Sequence, residues 1–250
     1  MEKRGQVTIF IIIAIVVVSL GGLAYFVFPQ IQTNISGEDN NPVSFIENCL
    51  EEDLEETIES VSLQGGKLEP VNSFLYEDVE IEYLCYIWES YQPCVVQNPL
   101  LRQSVEGEIK KGIETKVESC FAEMKNNFES QGYSVQYQPG GLDVTLLPQR
   151  IVTSMNKDLT LSRDETETYE KIEIVVNNNL YELVGIAGSI IESESKYGNA
   201  ETTIYMDYYK NLKVEKHTQE GGTKIYILTN RDGGEKFQFA SRSIVFPPGI

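Results

Sequence analysis

Residues 7–28 form an apolar run in which only Thr8, Ser19, Gly21 and Gly22 are weak breaks. No charged side chain occurs between residues 5 and 37. Crossing the hydrocarbon core of a bilayer takes about 20 apolar residues in a helix, and the run has that length. Lipid offers the backbone no partners, so the segment must bond within itself and be helical despite its many Ile and Val residues. Lys3 and Arg4 precede the run, and the next charges, Glu38 and Asp39, follow it. Basic residues favour the cytoplasmic side, which puts the N-terminus in the cytoplasm and the chain beyond about residue 29 outside. The expectation is a single-pass cell-membrane protein with a signal or transmembrane anchor at 1–28, a polar linker at 29–41 and an extracellular ectodomain after that.

Three fates of the first segment compete. It is retained whole as a signal anchor, or it is removed as a secretory signal, for which Gly22-Leu23-Ala24 offers small residues as a cleavage site. Against removal, the apolar run continues through Phe28. The third fate rests on Lys3-Arg4-Gly5-Gln6 standing directly before the run. This arrangement resembles the class III signal of archaeal type IV pilin-like surface proteins, a resemblance limited to residues 3–28. It implies cleavage between Gly5 and Gln6 by a prepilin-type peptidase and an apolar helix kept as membrane anchor. In filament-forming members it also implies self-assembly through that helix. The fifth residue after the implied cut is Phe10, where the family commonly has an acid; this departure bears on filament assembly more than on cleavage. Asn34-Ile35-Ser36 in the linker is a glycosylation acceptor sequence, with Asn34 as the site.

With 38 acidic and 20 basic residues, the chain carries a formal charge of −18. Such a surface repels phosphate backbones, so nucleic acid is not an expected partner. It favours solubility of the ectodomain and contact with cationic groups.

Beyond the linker, Asn41-Pro42 reads as an N-cap and first-turn proline. Phe45, Cys49, Leu50, Leu54, Ile58 and Val61 then recur at helical spacing, with Glu47, Glu51, Glu52, Glu55, Glu56 and Glu59 opposite and Gly65-Gly66 as the stop. That acidic face lacks a turn to converge its oxygens and makes a poor metal cage. Alternation over 79–88 predicts a strand. Leu101, Val105, Ile109, Ile113, Val117, Phe121, Met124 and Phe128 predict a long helix ending at Gly132. Strands are expected at 133–138 and 142–147, joined as a hairpin by Pro139-Gly140-Gly141. Further strands follow at 151–155, 159–162 and 168–176, then a helix from Asn179 to near Gly198, and a meander over 212–240. The fold class is α+β, with helices on antiparallel meander sheets. Two lobes, 42–178 and 179–250, or one merged sheet both fit this order.

All four cysteines lie in the expected outside portion, where disulfides persist. Three pairings are open. Cys49–Cys120 is favoured because both sit on the apolar side of a helix, leaving Cys85–Cys94 to close the loop from Trp88 to Pro93. No close cysteine pair suggests zinc. No hydrolase, metalloprotease, P-loop or dinucleotide motif occurs, and the single histidine, His217, reads as an exposed strand residue. No cofactor or metal is expected. Aromatics gather at Tyr83, Tyr86, Trp88 and Tyr91, and again at Tyr205, Tyr208 and Tyr209. Trp88 and Tyr91, on the loop expected to be stapled, are the candidate partner-binding residues. The chain therefore reads as a non-enzymatic, anchored surface protein with a structural, adhesive or pilin-like assembly role. An anchored ligand- or glycan-binding ectodomain would instead show a concave exposed cluster around Trp88. A carboxylate-dependent envelope hydrolase would show two acidic groups facing each other in one cleft.

Overall fold

The computed structural model describes residues 41–138 and 140–245. The anchor, the bond between Gly5 and Gln6, Asn34 and the linker lie outside the described residues. Among the described residues no helix is long and apolar enough to cross a membrane.

The described chain is α+β, as the periodicities predict. Helix α1 (Pro42–Leu63) opens as expected: the Asn41 side chain accepts a hydrogen bond from the Val43 N–H at 2.9 Å, and Pro42 starts the first turn. Helix α2 (Leu101–Ser130) buries the predicted stripe from Leu101 to Phe128. Each fully buried side chain of that size contributes about 1.5–3 kcal/mol relative to exposure. The stripe packs on α1, and Cys49–Cys120 links the two helices.

A mixed sheet lies against α1 and helix α3 (Leu180–Tyr197). It holds β1 (Ser73–Tyr76), β2 (Val79–Tyr86), β10 (Leu212–Thr218), β11 (Thr223–Asn230) and β12 (Lys236–Arg242), in the order β1-β2-β12-β11-β10, with β3 (Val95–Val96) beside β2. Only β12 and β2 pair in parallel; the other ladders are antiparallel. Phe237 and Phe239 of β12 enter the helix-covered core, while Ile81, Tyr83, Ile225 and Ala240 form a smaller cluster on the opposite face. The parallel pairing joins strands from both expected lobes. The described residues from 41 on form one unit with a merged sheet and a shared core, one of the two arrangements that the element order allows.

The expected hairpin across residues 139–141 is corrected, because the strands on either side do not pair with each other. Strand β5 (Leu142–Leu147) pairs with β6 (Arg150–Met155), whereas β4 (Ser134–Tyr137) pairs with β7 (Leu159–Ser162). Gln138 N–H to Asp158 O at 3.2 Å and Asn156 N–H to Gly141 O at 2.9 Å carry the ladder across the gap. The arrangement is one long hairpin with its turn at Pro148-Gln149, bent in the middle. Strands β8 (Thr166–Tyr169) and β9 (Ile172–Asn177) complete the two halves as a third strand. At the bend Gly140 passes so close to the Asn156 carbonyl that a Cβ would have no room. Buried Lys157 pins the bend to α2, reaching Glu118 at 2.6 Å and lying 4.6 Å from the centre of the Phe121 ring. Helix α4 (Thr202–Tyr208), which the periodicity does not reveal, buries no residue fully and lies on β10.

Candidate functional site

The segment between Cys85 and Cys94 forms a closed loop between two antiparallel strands. Strand β2 carries the chain to Tyr86, and β3 returns it with Cys85 opposite Val96 and Tyr86 opposite Val95. The disulfide Cys85–Cys94 closes the base, with a Cα–Cα distance of 5.3 Å. Both pairings favoured from sequence, Cys49–Cys120 and Cys85–Cys94, are present, and no cysteine is free.

Trp88 and Tyr91 project from this loop, 77% and 63% exposed. The loop is held from below by Arg242 at the end of β12. Its guanidinium donates to the Ile87 carbonyl and, at 2.9 Å, to the Trp88 carbonyl. The same group lies 5.2 Å from the Trp88 ring centre and 5.8 Å from that of Tyr86. Tyr91 has φ 69°, a left-handed conformation that a bulky side chain rarely adopts. Gln92 forms a bridge to Ile244 and donates to Glu89 at 2.9 Å. The expected aromatic group therefore divides by depth. Tyr83 is core, packed 4.9 Å from Tyr86 and bonded to Thr223 at 2.8 Å, and burial is the main cause of its raised phenol pKa. Tyr86 is intermediate, and Trp88 and Tyr91 are outermost. A rigid loop presenting a tryptophan, a tyrosine and a stacked arginine has the composition of interface anchors.

His217 lies in β10 with its ring 5.8 Å from that of Tyr76. Asp232-Gly233-Gly234 is a turn between β11 and β12. The acidic face of α1 lines a shallow hollow, and among the described residues no cluster of His, Cys, Asp and Glu could hold a metal. Glu55 and Glu59 of the same face also line, with Glu235, a cavity of about 550 Å³.

Sequence reasoning missed a buried polar cluster beneath the loop. Glu194, on the apolar stripe of α3, is 0% exposed. Its carboxylate accepts from Lys224 at 2.7 and 3.0 Å, from Ser243 at 2.9 Å, from Ser241 at 3.2 Å and from Tyr226. Lys224 also donates to the carbonyl of Gly198, whose φ of 67° ends α3 in the left-handed conformation that suits glycine. Burial first, then the Glu194 charge, pushes the Tyr226 phenol well above its ordinary range. Ser241 Oγ lies 3.6 Å from Cys94 Sγ, which ties the cluster to the base of the loop. The signal was present in the pattern: Glu194 follows Ile190 and Ile191 on the inward stripe, and Lys224 shares the inward parity of Tyr226 and Leu228. Opposite charges at inward positions on facing elements point to each other.

No protein-family model, curated protein or solved structure matches the chain.

Proposed function

We propose that this chain is an exported, membrane-anchored cell-surface protein whose folded domain presents the stapled loop of Trp88 and Tyr91 to a surface partner or to another copy. The role is structural, adhesive or assembly-forming and not enzymatic. In this reading the 7–28 run anchors the chain, and a prepilin-type peptidase cuts between Gly5 and Gln6. Asn34 stands on an outside linker. The observation that carries the reading is the closed loop itself: a disulfide at its base, an arginine clamp beneath it, and two large aromatics held out to solvent. Holding such side chains rigid before contact lowers the entropy lost on binding. Two disulfides in one domain also support an oxidising compartment.

Mass spectrometry of the N-terminus of protein from native membranes tests the address. A chain starting at Gln6 supports the pilin-like route, an intact Met1 leaves a plain anchor, and a start at Tyr25 overturns anchoring. Surface cross-linking tests the contact. The Trp88→Ala/Tyr91→Ala variant should lose cross-linked products while keeping its melting temperature, and unchanged products would overturn the loop's role.

A further inference from the structure

Two cavities adjoin on α3, away from the stapled loop, and nothing in the reading above uses them. They enclose about 530 and about 430 Å³ and share Glu182, Ile186 and Tyr209 in their walls. Both volumes fall in the range of small-molecule sites, roughly 300–1,000 Å³. The aromatic wall comes from α4 and the residue that caps it. Tyr208 and Tyr209 are 79% and 45% exposed and meet edge to face at 4.8 Å. Tyr205 is fixed by a hydrogen bond of 3.1 Å between its hydroxyl and Ser189 on α3. Tyr205 packs at the edge of the core, whereas Tyr208 and Tyr209 stay exposed and core packing does not explain them.

The floor is equally unexplained by packing. Gly185 and Gly188 face outward on α3, and a Cβ at either would meet nothing within 4 Å. Glycine weakens a helix interior, and here no neighbour requires it. The open strip leaves room for a group brought up against the helix. Glu182 stands in the wall that the two cavities share, where its Oε1 accepts the Gln149 N–H at 3.1 Å.

We propose that this double cavity binds uncharged sugar rings of a glycan. Tyrosine faces stack on the C–H faces of a pyranose, and the side-chain amides of Gln149, Asn179, Asn211 and Asn230 at one cavity both donate and accept, as hydroxyl groups require. The charges argue against ionic ligands. An ammonium group would meet Arg102 and Lys210 at the walls, and a phosphate would meet Glu182 on a chain of charge −18. This inference does not depend on how the chain is anchored or processed, nor on the Trp88 loop.

Saturation-transfer NMR on the full chain, held in a sugar-free zwitterionic detergent, tests it. The probes are the methyl glycosides of glucose, galactose and mannose, and N-acetylglucosamine, each at about 10 mM, enough to detect a site with Kd near 1 mM. Transfer to the ring protons of at least one probe is expected. It should weaken at least tenfold in Tyr209→Ala and in Gly188→Leu. The leucine enters open space, so that variant should keep or raise its melting temperature while blocking the floor; if it fails to fold, Tyr209→Ala alone decides. No transfer to any of the four probes overturns the proposal, as does transfer that survives Tyr209→Ala. Displacement by spermidine would reassign the cavity to cationic amines, and loss on Trp88→Ala with Tyr209→Ala unaffected would move sugar binding to the loop.

Discussion

Replacing Lys224 with Met should cost the domain about 3–5 kcal/mol, the usual consequence of removing one member of a buried ion pair. Three observations place the change at this end of the scale. Glu194 has no solvent exposure, Lys224 contacts both of its oxygens, and Lys224 also serves the Gly198 carbonyl at the end of α3. After the substitution Tyr226, Ser241 and Ser243 still donate to Glu194, but none carries charge. In a domain of this size about 1 kcal/mol moves the melting temperature by roughly 2–4 °C, so the expected fall is about 6–20 °C. Full-length protein in detergent, melted with disulfides intact and followed by circular dichroism, measures it. The double variant Glu194→Gln/Lys224→Met removes the charge along with its partner and should recover most of the loss. A single variant costing under about 1 kcal/mol, or a double variant equal to the sum of the two singles, would refute the coupling.

The two disulfides should differ in weight. Cys49–Cys120 spans a sequence separation of 71 and Cys85–Cys94 one of 9, so loop-closure entropy assigns about 4 and about 3 kcal/mol. Serine pairs at each, compared by guanidinium unfolding, should keep that order, and only the Cys85–Cys94 pair should increase quenching of Trp88, the one tryptophan, by acrylamide. Tyr169 donates to Glu167 at 2.7 Å, and burial together with that carboxylate pushes its phenol up to about 12. A group whose folded pKa is raised contributes stability that is full below its unfolded value of 10.0 and lost as pH rises toward 12. Alkaline absorbance titration should show Tyr169 among the late-ionising tyrosines, beside Tyr83 and Tyr226, and Glu167→Gln should bring one of that group earlier.

Much of the helical architecture was readable because apolar spacing and burial obey the same geometry. The α2 stripe from Leu101 to Phe128 follows from that, the Asn41 cap follows from Asn41-Pro42, and the two cysteine pairs favoured among three pairings are present. What escaped was set by contacts distant in sequence. Pro139-Gly140-Gly141 has the composition of a turn, but Gly140 is there for a close pass over Asn156, and only the pairing partner distinguishes the two. Two lobes and one merged sheet both fit the element order, because no local signal announces that β12 will insert beside β2. Helix α4 was invisible because its side chains do not repeat against a core. At the stapled loop, sequence identified the exposed aromatics and the closure; the Arg242 clamp comes from the far end of the domain sequence and had no spacing to betray it.

The insertion of β12 between β2 and β11 sets an order of events during synthesis. A chain emerging N-terminus first makes β2 early and must leave one of its edges open until residues 236–242 arrive. Contacts that join such distant segments form slowly, and open strand edges invite the wrong partner. Under the exported reading proposed above, the sheet would not close until nearly all of the described domain had crossed the membrane. An interrupted passage would leave β2 paired with β1 and β3 alone, its other edge open.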